Sequence, residues 1–271
     1  MDPLRPDDLL IRRSPVELER WSEGESSGPQ PGVTLERFQS LEHVIRDHPL
    51  KAEPYLELAR IYLQRNRWTD AKRVLELGCQ RFPDHEEVCY LHEESQLARS
   101  LQLQCAAQAA HDEEPTRLTQ ESLERSQLEL NVLRERICRA RLQRHPQKLA
   151  LHLPLATALA NLERPEEAIA SLQIALAEPK LRSAAAWQLG QLYETLSRIP
   201  DALSAYRRAA LFRVPPPAAD IKRRALAAAA DLSERSGLID SARRYVGLLL
   251  EIEPDDERLK SRHARLLAMP L

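Results

Sequence analysis

The sequence predicts an all-α protein, an α-solenoid of helix-pair repeats, and three observations support this fold class. Glycine supplies 7 of the 271 residues, well below its usual share of about 7%, so few tight turns or β-bulges can form. Apolar residues make up 43% of the chain and aromatic residues 4%; the apolar set is mostly Ala and Leu, which are strong helix formers. These apolar residues also recur at the 3.6-residue spacing of a helix.

Four predicted helix pairs share one alternation of small and large residues. In the second helix of a pair, a small residue is followed four positions later by a larger one, as in Ala71 and Leu75. Small residues are also required where the two helices of a pair cross closely. The predicted crossing pairs are Ala59/Ala71, Ala156/Ala168, Gly190/Ala202 and Ala230/Ala242. Ala168 and Ala202 are 34 residues apart, which gives the period of the repeat.

This period and alternation resemble the tetratricopeptide repeat, a 34-residue helix–turn–helix unit. The resemblance covers Lys51–Asp84 and Leu149–Asp256, and each unit departs from the consensus at some position. The Trp position of the consensus holds, in turn, Tyr55, His152, Ala186 and Leu226. The overall arrangement is similar to that of bacterial tetratricopeptide proteins. The resemblance implies a stack of helix pairs, and nothing about chemistry follows from it.

The chain is predicted to contain five segments. Prolines and the polar stretch 22–32 indicate a disordered or weakly ordered start. After the first full repeat the register is lost, and two long helical patterns separated by Pro115 predict an inserted antiparallel hairpin with arms of about 40 Å. The segments are 1–33, weakly ordered; 34–85, a half repeat and the first full repeat; 86–148, the hairpin; 149–255, three repeats; and 256–271, a capping helix.

Composition and charge argue against several classes of function. The 39 basic and 41 acidic residues give a net charge of −2, so no general field attracts nucleic acid or an anionic membrane. The pattern of a secretion signal and an apolar run long enough to span a membrane are both missing. The 4 cysteines include no CxxC pair, which predicts reduced thiols. We therefore expect a soluble, cytoplasmic protein that binds neither nucleic acid nor membrane.

Two clusters could carry chemistry, and for both the sequence favours a structural role. Two thiols and two imidazoles lie within 14 residues, at Cys79, His85, Cys89 and His92. Because they lack the tight C-x2–4-C knuckle of structural zinc sites, we predict no bound metal. An arginine cluster without interleaved aromatic residues predicts a solvated helix face; it consists of Arg134, Arg136, Arg139, Arg141 and Arg144. With no phosphate loop or nucleophile motif, we predict neither a cofactor nor an enzyme.

The surface of the repeats is the remaining candidate site. In a solenoid of helix pairs the first helix of each unit lines the concave side, and a stripe beside its packing face is open to a partner. By equal offsets between repeats, this stripe consists of Leu153, Thr157, Trp187, Gln191, Glu194, Ala227, Asp231 and Glu234. Trp187 is either an anchor for a bound segment or a packing residue, and the sequence leaves both interpretations open.

The charges of the stripe predict the chemistry of the partner. Three of its residues are acidic, and in sequence only Arg224 and Arg235 lie close enough to offset them. We therefore expect a protein or peptide partner that carries basic residues. The predicted function is that of a scaffold or adaptor. The alternative is a structural protein that forms homo-oligomers through the hairpin.

Overall fold

The computed structural model describes residues 35–65 and 67–269. In this part of the chain all regular structure is helical, with twelve α-helices, two short 3-10 turns and no strand. The predicted all-α fold is therefore confirmed. The segment predicted to be weakly ordered, residues 1–33, lies outside the described residues.

The chain divides into two compact units, Met1–Ile137 and Cys138–Leu271. The helices of the first unit are α1 (Leu35–Asp47), α2 (Glu53–Gln64), α3 (Trp68–Arg81), α4 (Glu86–Glu113) and the larger part of α5 (Arg117–Arg144). Aromatic side chains join its repeat helices, since the ring of Tyr55 on α2 lies edge-on to that of Phe82, with centroids 5.9 Å apart. This packing fixes α2 against the end of α3.

Helices α4 and α5 are the arms of the predicted hairpin, and each is 28 residues long. Hydrogen bonds join them at two levels: Arg136 donates to Gln96 at 2.6 Å, and His111 lies 3.1 Å from Thr119. Because both pairs are nearly symmetric about the connecting turn, the arms run antiparallel. The beginning of α4 also packs on α2 and α3, as the first helix of a following repeat would. That the hairpin interrupts the repeats as an insertion therefore remains a prediction.

The second unit contains the end of α5, three helix pairs and a final helix. In order these are α6 (His152–Asn161), α7 (Pro165–Ala175), α8 (Arg182–Thr195), α9 (Ile199–Leu211), α10 (Ala219–Arg235), α11 (Ile239–Ile252) and α12 (Glu257–Ala268). The 3-10 turns Leu149–Leu151 and Pro179–Leu181 lead into α6 and α8. The first helices of the pairs are α6, α8 and α10; α8 packs against both of the others as well as against α9. The first helices thus form one continuous layer.

The small residues predicted at the helix crossings are all buried. The tightest crossing is that of α8 and α9. A Cβ built on Gly190 would lie 2.4 Å from the Cδ1 and Cε1 atoms of Tyr206, a distance that no packed side chain tolerates. Gly190 is therefore required because the ring of Tyr206 occupies the space beside it.

Candidate protein-binding site

The residues predicted to meet a partner lie on three neighbouring first helices, and we call them the first-helix stripe. They are Leu153 and Thr157 on α6, Trp187, Gln191 and Glu194 on α8, and Ala227, Asp231 and Glu234 on α10. Gln191 and Asp231 are exposed, and the other six side chains are half-buried. Every residue of the stripe therefore keeps some surface open to solvent in the isolated chain.

Trp187 has one packed side and some exposed surface. Its ring lies 5.3 Å from that of Tyr206 at an interplanar angle of 41°, and it packs against the buried core of the unit. The side chain as a whole is nevertheless only half-buried. Trp187 therefore packs against the core, as a packing residue would, and also keeps exposed surface, as an anchor for a partner would.

Tyr206 also holds the acidic end of α8 in place. Its hydroxyl donates a hydrogen bond of 2.7 Å to Oε2 of Glu194, and Oε1 of Glu194 is ion-paired with Arg235 of α10. Burial of Tyr206, and next the hydrogen bond to Glu194, raise the pKa of this hydroxyl above its ordinary value of 10.0. Both oxygens of the Glu194 carboxylate are therefore engaged within the protein.

The other two acidic residues of the stripe are paired by arginines from α12. Arg262 lies 2.6 Å from Asp231 and 2.8 Å from Glu234, and Arg265 forms a further ion pair with Glu234. The premise that only Arg224 and Arg235 offset the acids is therefore wrong. Arg262 and Arg265 are distant from these acids in sequence but lie next to them in the folded protein. Arginines outside the stripe therefore compensate its negative charge.

The α6 end of the stripe is anchored by a histidine where the repeat consensus has Trp. The Nδ1 atom of His152 lies 2.9 Å from Oγ of Ser171, which donates a hydrogen bond of 3.1 Å to the backbone oxygen of His152. Burial lowers the pKa of His152 below 6.5. Thr157 donates to the backbone oxygen of Leu153 at 3.2 Å. The polar groups at this end thus bond within the first helix and to its paired helix.

The thiol and imidazole cluster is only partly brought together. Sγ of Cys79 lies 3.4 Å from Nδ1 of His92, whereas Sγ of Cys89 donates to the backbone oxygen of Pro83 at 3.4 Å. Burial lowers the pKa of His92. Among residues 35–65 and 67–269 no three His, Cys, Asp or Glu side chains are grouped as metal ligands. The cluster offers a Cys–His contact and not a ligand set.

The arginine cluster of α5 differs from its prediction. Arg134 and Arg141 are buried, with 8% and 0% of their surface exposed, whereas Arg136 and Arg139 are exposed. The two buried arginines are seven positions apart and therefore lie on the helix face that also buries Ile137. The prediction of a solvated face is wrong for this pair, because helical spacing places them inside.

Several solved structures are similar to this chain at low sequence identity. The human IFIT1 dimer with m7Gppp-AAAA has a TM-score of 0.52 at 14% identity and covers 98% of this chain, which spans 55% of its length. YrrB, a TPR protein with an unusual peptide-binding site, gives 0.46 at 16% identity over 84% of this chain and 98% of its own. A tetratricopeptide repeat protein from Parabacteroides merdae gives 0.46 at 17% identity over 84% and 72%. At such identities the IFIT1 likeness shows the fold alone.

Residues 153–219 match the family model described as tetratricopeptide repeat. The matched residues extend from the second residue of α6 to the first residue of α10 and include two helix pairs apart from His152. Together with the helix pairs of the second unit, this match shows that residues 153–219 form tetratricopeptide repeats. No curated protein matches the chain in sequence. Within the described part of the chain, no helix combines the length and apolar character that a membrane crossing requires.

Proposed function

We propose that the protein is a non-enzymatic protein-interaction module, a scaffold or adaptor, that holds a segment of a partner along the first-helix stripe. One observation carries the proposal: the Trp187 ring is fixed by Tyr206 and yet only half-buried. A rigid aromatic side chain that is partly exposed is a usual anchor at protein interfaces. The corresponding position of the next first helix holds the small Ala227. A cytoplasmic location is part of the proposal and rests on the sequence alone.

The partner is proposed to contact Trp187 with an apolar side chain. Electrostatic attraction gives little support to a basic partner, because Arg235, Arg262 and Arg265 already pair with the acids of the stripe. Asp231 is paired as well, but it is more accessible to a partner: its side chain is 56% exposed, whereas that of Glu234 is 23% exposed. If basic residues contribute, they bind at Asp231, and Asp231→Asn weakens binding chiefly at low salt.

The test begins with the full chain as bait in a lysate of the source cells, followed by calorimetry with the partner that it captures. We expect Trp187→Ala to weaken this complex by about tenfold or more, the usual cost of truncating an anchor. Ile174→Ala is the matched control, because Ile174 is also a large apolar residue, is 48% exposed and lies on the second helix α7. Equal affinities for the parent and the Trp187 variant would contradict the proposed site.

A second candidate function is self-assembly through the hairpin, and exposed apolar side chains favour it. Large hydrophobic residues with 50–77% of their surface exposed occur on both arms: Leu103 on α4, and Leu118, Leu128 and Val132 on α5. Leu128 and Val132 are one helical turn apart and share a face. If the hairpin drives assembly, light scattering will give an oligomer for the full chain and a monomer for the Leu128→Glu, Val132→Glu variant. A monomeric parent would eliminate this candidate.

A further inference from the structure

A pocket of about 480 Å³ lies between α9, α10 and the end of α11, and none of its lining residues belongs to the first-helix stripe. This volume is within the range of roughly 300–1,000 Å³ that is typical of ligand sites. Its lining is largely apolar and includes Leu211, Phe212, Pro216, Pro217, Lys222 and Ile252. The pocket thus offers space for an apolar group next to one cationic side chain.

Proline residues account for the pocket. The connection between α9 and α10 runs from 212 to 218 and contains Pro215, Pro216 and Pro217. Proline lacks a backbone N–H and disfavours helical conformation in the residue before it, so α9, which ends at Leu211, could not extend beyond Arg213. The connection before α8, in contrast, contains a 3-10 turn. The proline segment spans the ends of the helices and lines one side of the pocket.

The apolar side chains that line the pocket pack against the core and also keep some exposed surface. Phe212 and Ile252 are half-buried and pack against the buried core of the unit. Leu211, next to Phe212, keeps 38% of its surface exposed. A side chain entering the pocket would cover this surface against a wall that is already packed, so little ordering is needed on binding.

Basic residues predominate on the α9 and α10 side of the pocket, whereas Glu251 and Glu253 flank the lining residue Ile252 on the α11 side. Between positions 207 and 224 the chain has six basic residues and one acid, Asp220. Arg223 pairs with Glu253 at 3.7 Å. Within the described part of the chain, no acidic side chain pairs with Arg213, which follows Phe212, or with Lys222, which lines the pocket. These two cations therefore keep their charge available to a ligand.

We propose that this pocket is a second binding site, which takes an acidic protein segment: one apolar side chain enters the pocket, and flanking carboxylates bind Arg213 and Lys222. The combination of an apolar cavity and uncompensated cations matches that chemistry. Single-stranded nucleic acid fits less well, because it binds on aromatic side chains that are open for stacking, whereas Phe212 packs against the core. The site is separate from the stripe and does not depend on the function proposed for it.

The experiment selects binders from a library of random short peptides displayed on phage, with the full chain as bait. The library is first depleted on an Ala219→Trp variant, in which the larger side chain fills the pocket from the exposed first residue of α10. We expect the selected peptides to combine several acidic residues with one large apolar residue. Their affinity should fall by about tenfold or more in Arg213→Glu, Lys222→Glu and increase as salt is lowered.

Controls separate this site from the stripe and from general charge. Arg258→Glu changes an exposed arginine of α12 in the same way and should leave peptide affinity within about twofold. Trp187→Ala should also leave it unchanged, even where that variant has lost the partner of the stripe. Selection of basic or neutral peptides, no selection, or equal binding by peptides whose apolar residue is replaced by serine would overturn the proposal. So would RNA that binds the parent but not the Ala219→Trp variant, because nucleic acid would then be the occupant of the pocket.

Discussion

The first-helix stripe and the proline pocket differ in how their charges are compensated. In the stripe, each of the three acids is paired with an arginine from a neighbouring first helix or from α12. Beside the pocket, basic residues cluster, and among the described residues Arg223 is the one of them that pairs with an acid, Glu253, at 3.7 Å. The two surfaces belong to the same stack of helices, so the fold itself does not dictate this difference.

The pairing in the stripe follows the direction of stacking. Glu194 of α8 meets Arg235 of α10, and Glu234 of α10 meets Arg262 and Arg265 of α12. These contacts join α8 to α10 and α10 to α12, so they contribute to holding successive units of the stack together. Cations beside the pocket repel one another and add nothing to stability. Substitutions of paired residues in the stripe should therefore lower stability, whereas removal of an unpaired cation beside the pocket should change stability little and act mainly on binding.

The largest expected effect comes from the packing beneath the stripe. Gly190→Leu would place a side chain where the Tyr206 ring lies, 2.4 Å from a Cβ. We expect a loss of about 3 kcal/mol or more in the free energy of unfolding, because overpacking of a buried crossing forces side chains and backbone to move. Urea denaturation measures this loss. Ala202→Leu, at the other side of the same crossing, should be destabilising for the same reason.

A second glycine provides the control for that prediction. Gly247 lies within α11, and a Cβ there would meet its nearest neighbour, Nε2 of His263, at an ordinary 3.9 Å. Gly247→Ala should therefore stabilise the protein by about 0.5–1 kcal/mol, the usual gain within a helix. If Gly190→Ala also increases the free energy of unfolding, Tyr206 does not lie as close to Gly190 in the folded protein as described, and the prediction fails.

The next effect tests whether Tyr206 fixes the acidic end of α8. Tyr206→Phe keeps the ring and removes the hydroxyl that donates to Glu194 at 2.7 Å. We expect a loss of about 1–2 kcal/mol by urea denaturation, because the bond is to a charged acceptor in a partly buried place. Tyr193→Phe is the control, since Tyr193 is also half-buried and packs against the core, and its ring lies 4.7 Å from the Arg198 guanidinium. Equal losses in both variants would exclude a special role for the Glu194 bond.

The fold was predictable from the sequence because its determinants are local. Small residues at a 34-residue period indicated the helix crossings. Gly190 is at such a crossing, where the Tyr206 ring leaves no space for a larger side chain. The compensation of the acids in the stripe was not predictable in this way, because Arg262 and Glu234 are 28 positions apart and meet only when α12 packs against α11 and its arginines reach α10. The pocket required Phe212 and Ile252 to come together across α10 and α11, which no local pattern indicates.

A smaller effect compares the two surfaces through one arginine of the stripe. Arg262 is 22% exposed and bridges Asp231 and Glu234. Arg262→Gln should cost about 1 kcal/mol of stability, more than an exposed pair usually contributes. Lys260→Gln is the matched neighbour, because Lys260 is 46% exposed and pairs with Glu257 of its own helix. A loss as large for Lys260→Gln would show that α12 gains nothing from its bridge to α10.

The smallest effect on stability is expected at the pocket, where a substitution should stabilise the protein slightly and not destabilise it as in the stripe. Arg213→Gln removes one of the six basic residues between 207 and 224, and Arg213 has no acidic partner among the described residues to lose. Stability should therefore stay within about 0.5 kcal/mol of the parent and increase slightly at low salt, because the remaining cations repel one another less. Urea denaturation at about 0.05 M and about 0.5 M NaCl measures the difference, which should vanish at the higher salt as screening removes the repulsion. A loss of about 1 kcal/mol or more would mean that Arg213 pairs with an acid in the folded protein, and the contrast between a paired stripe and an unpaired pocket would fail.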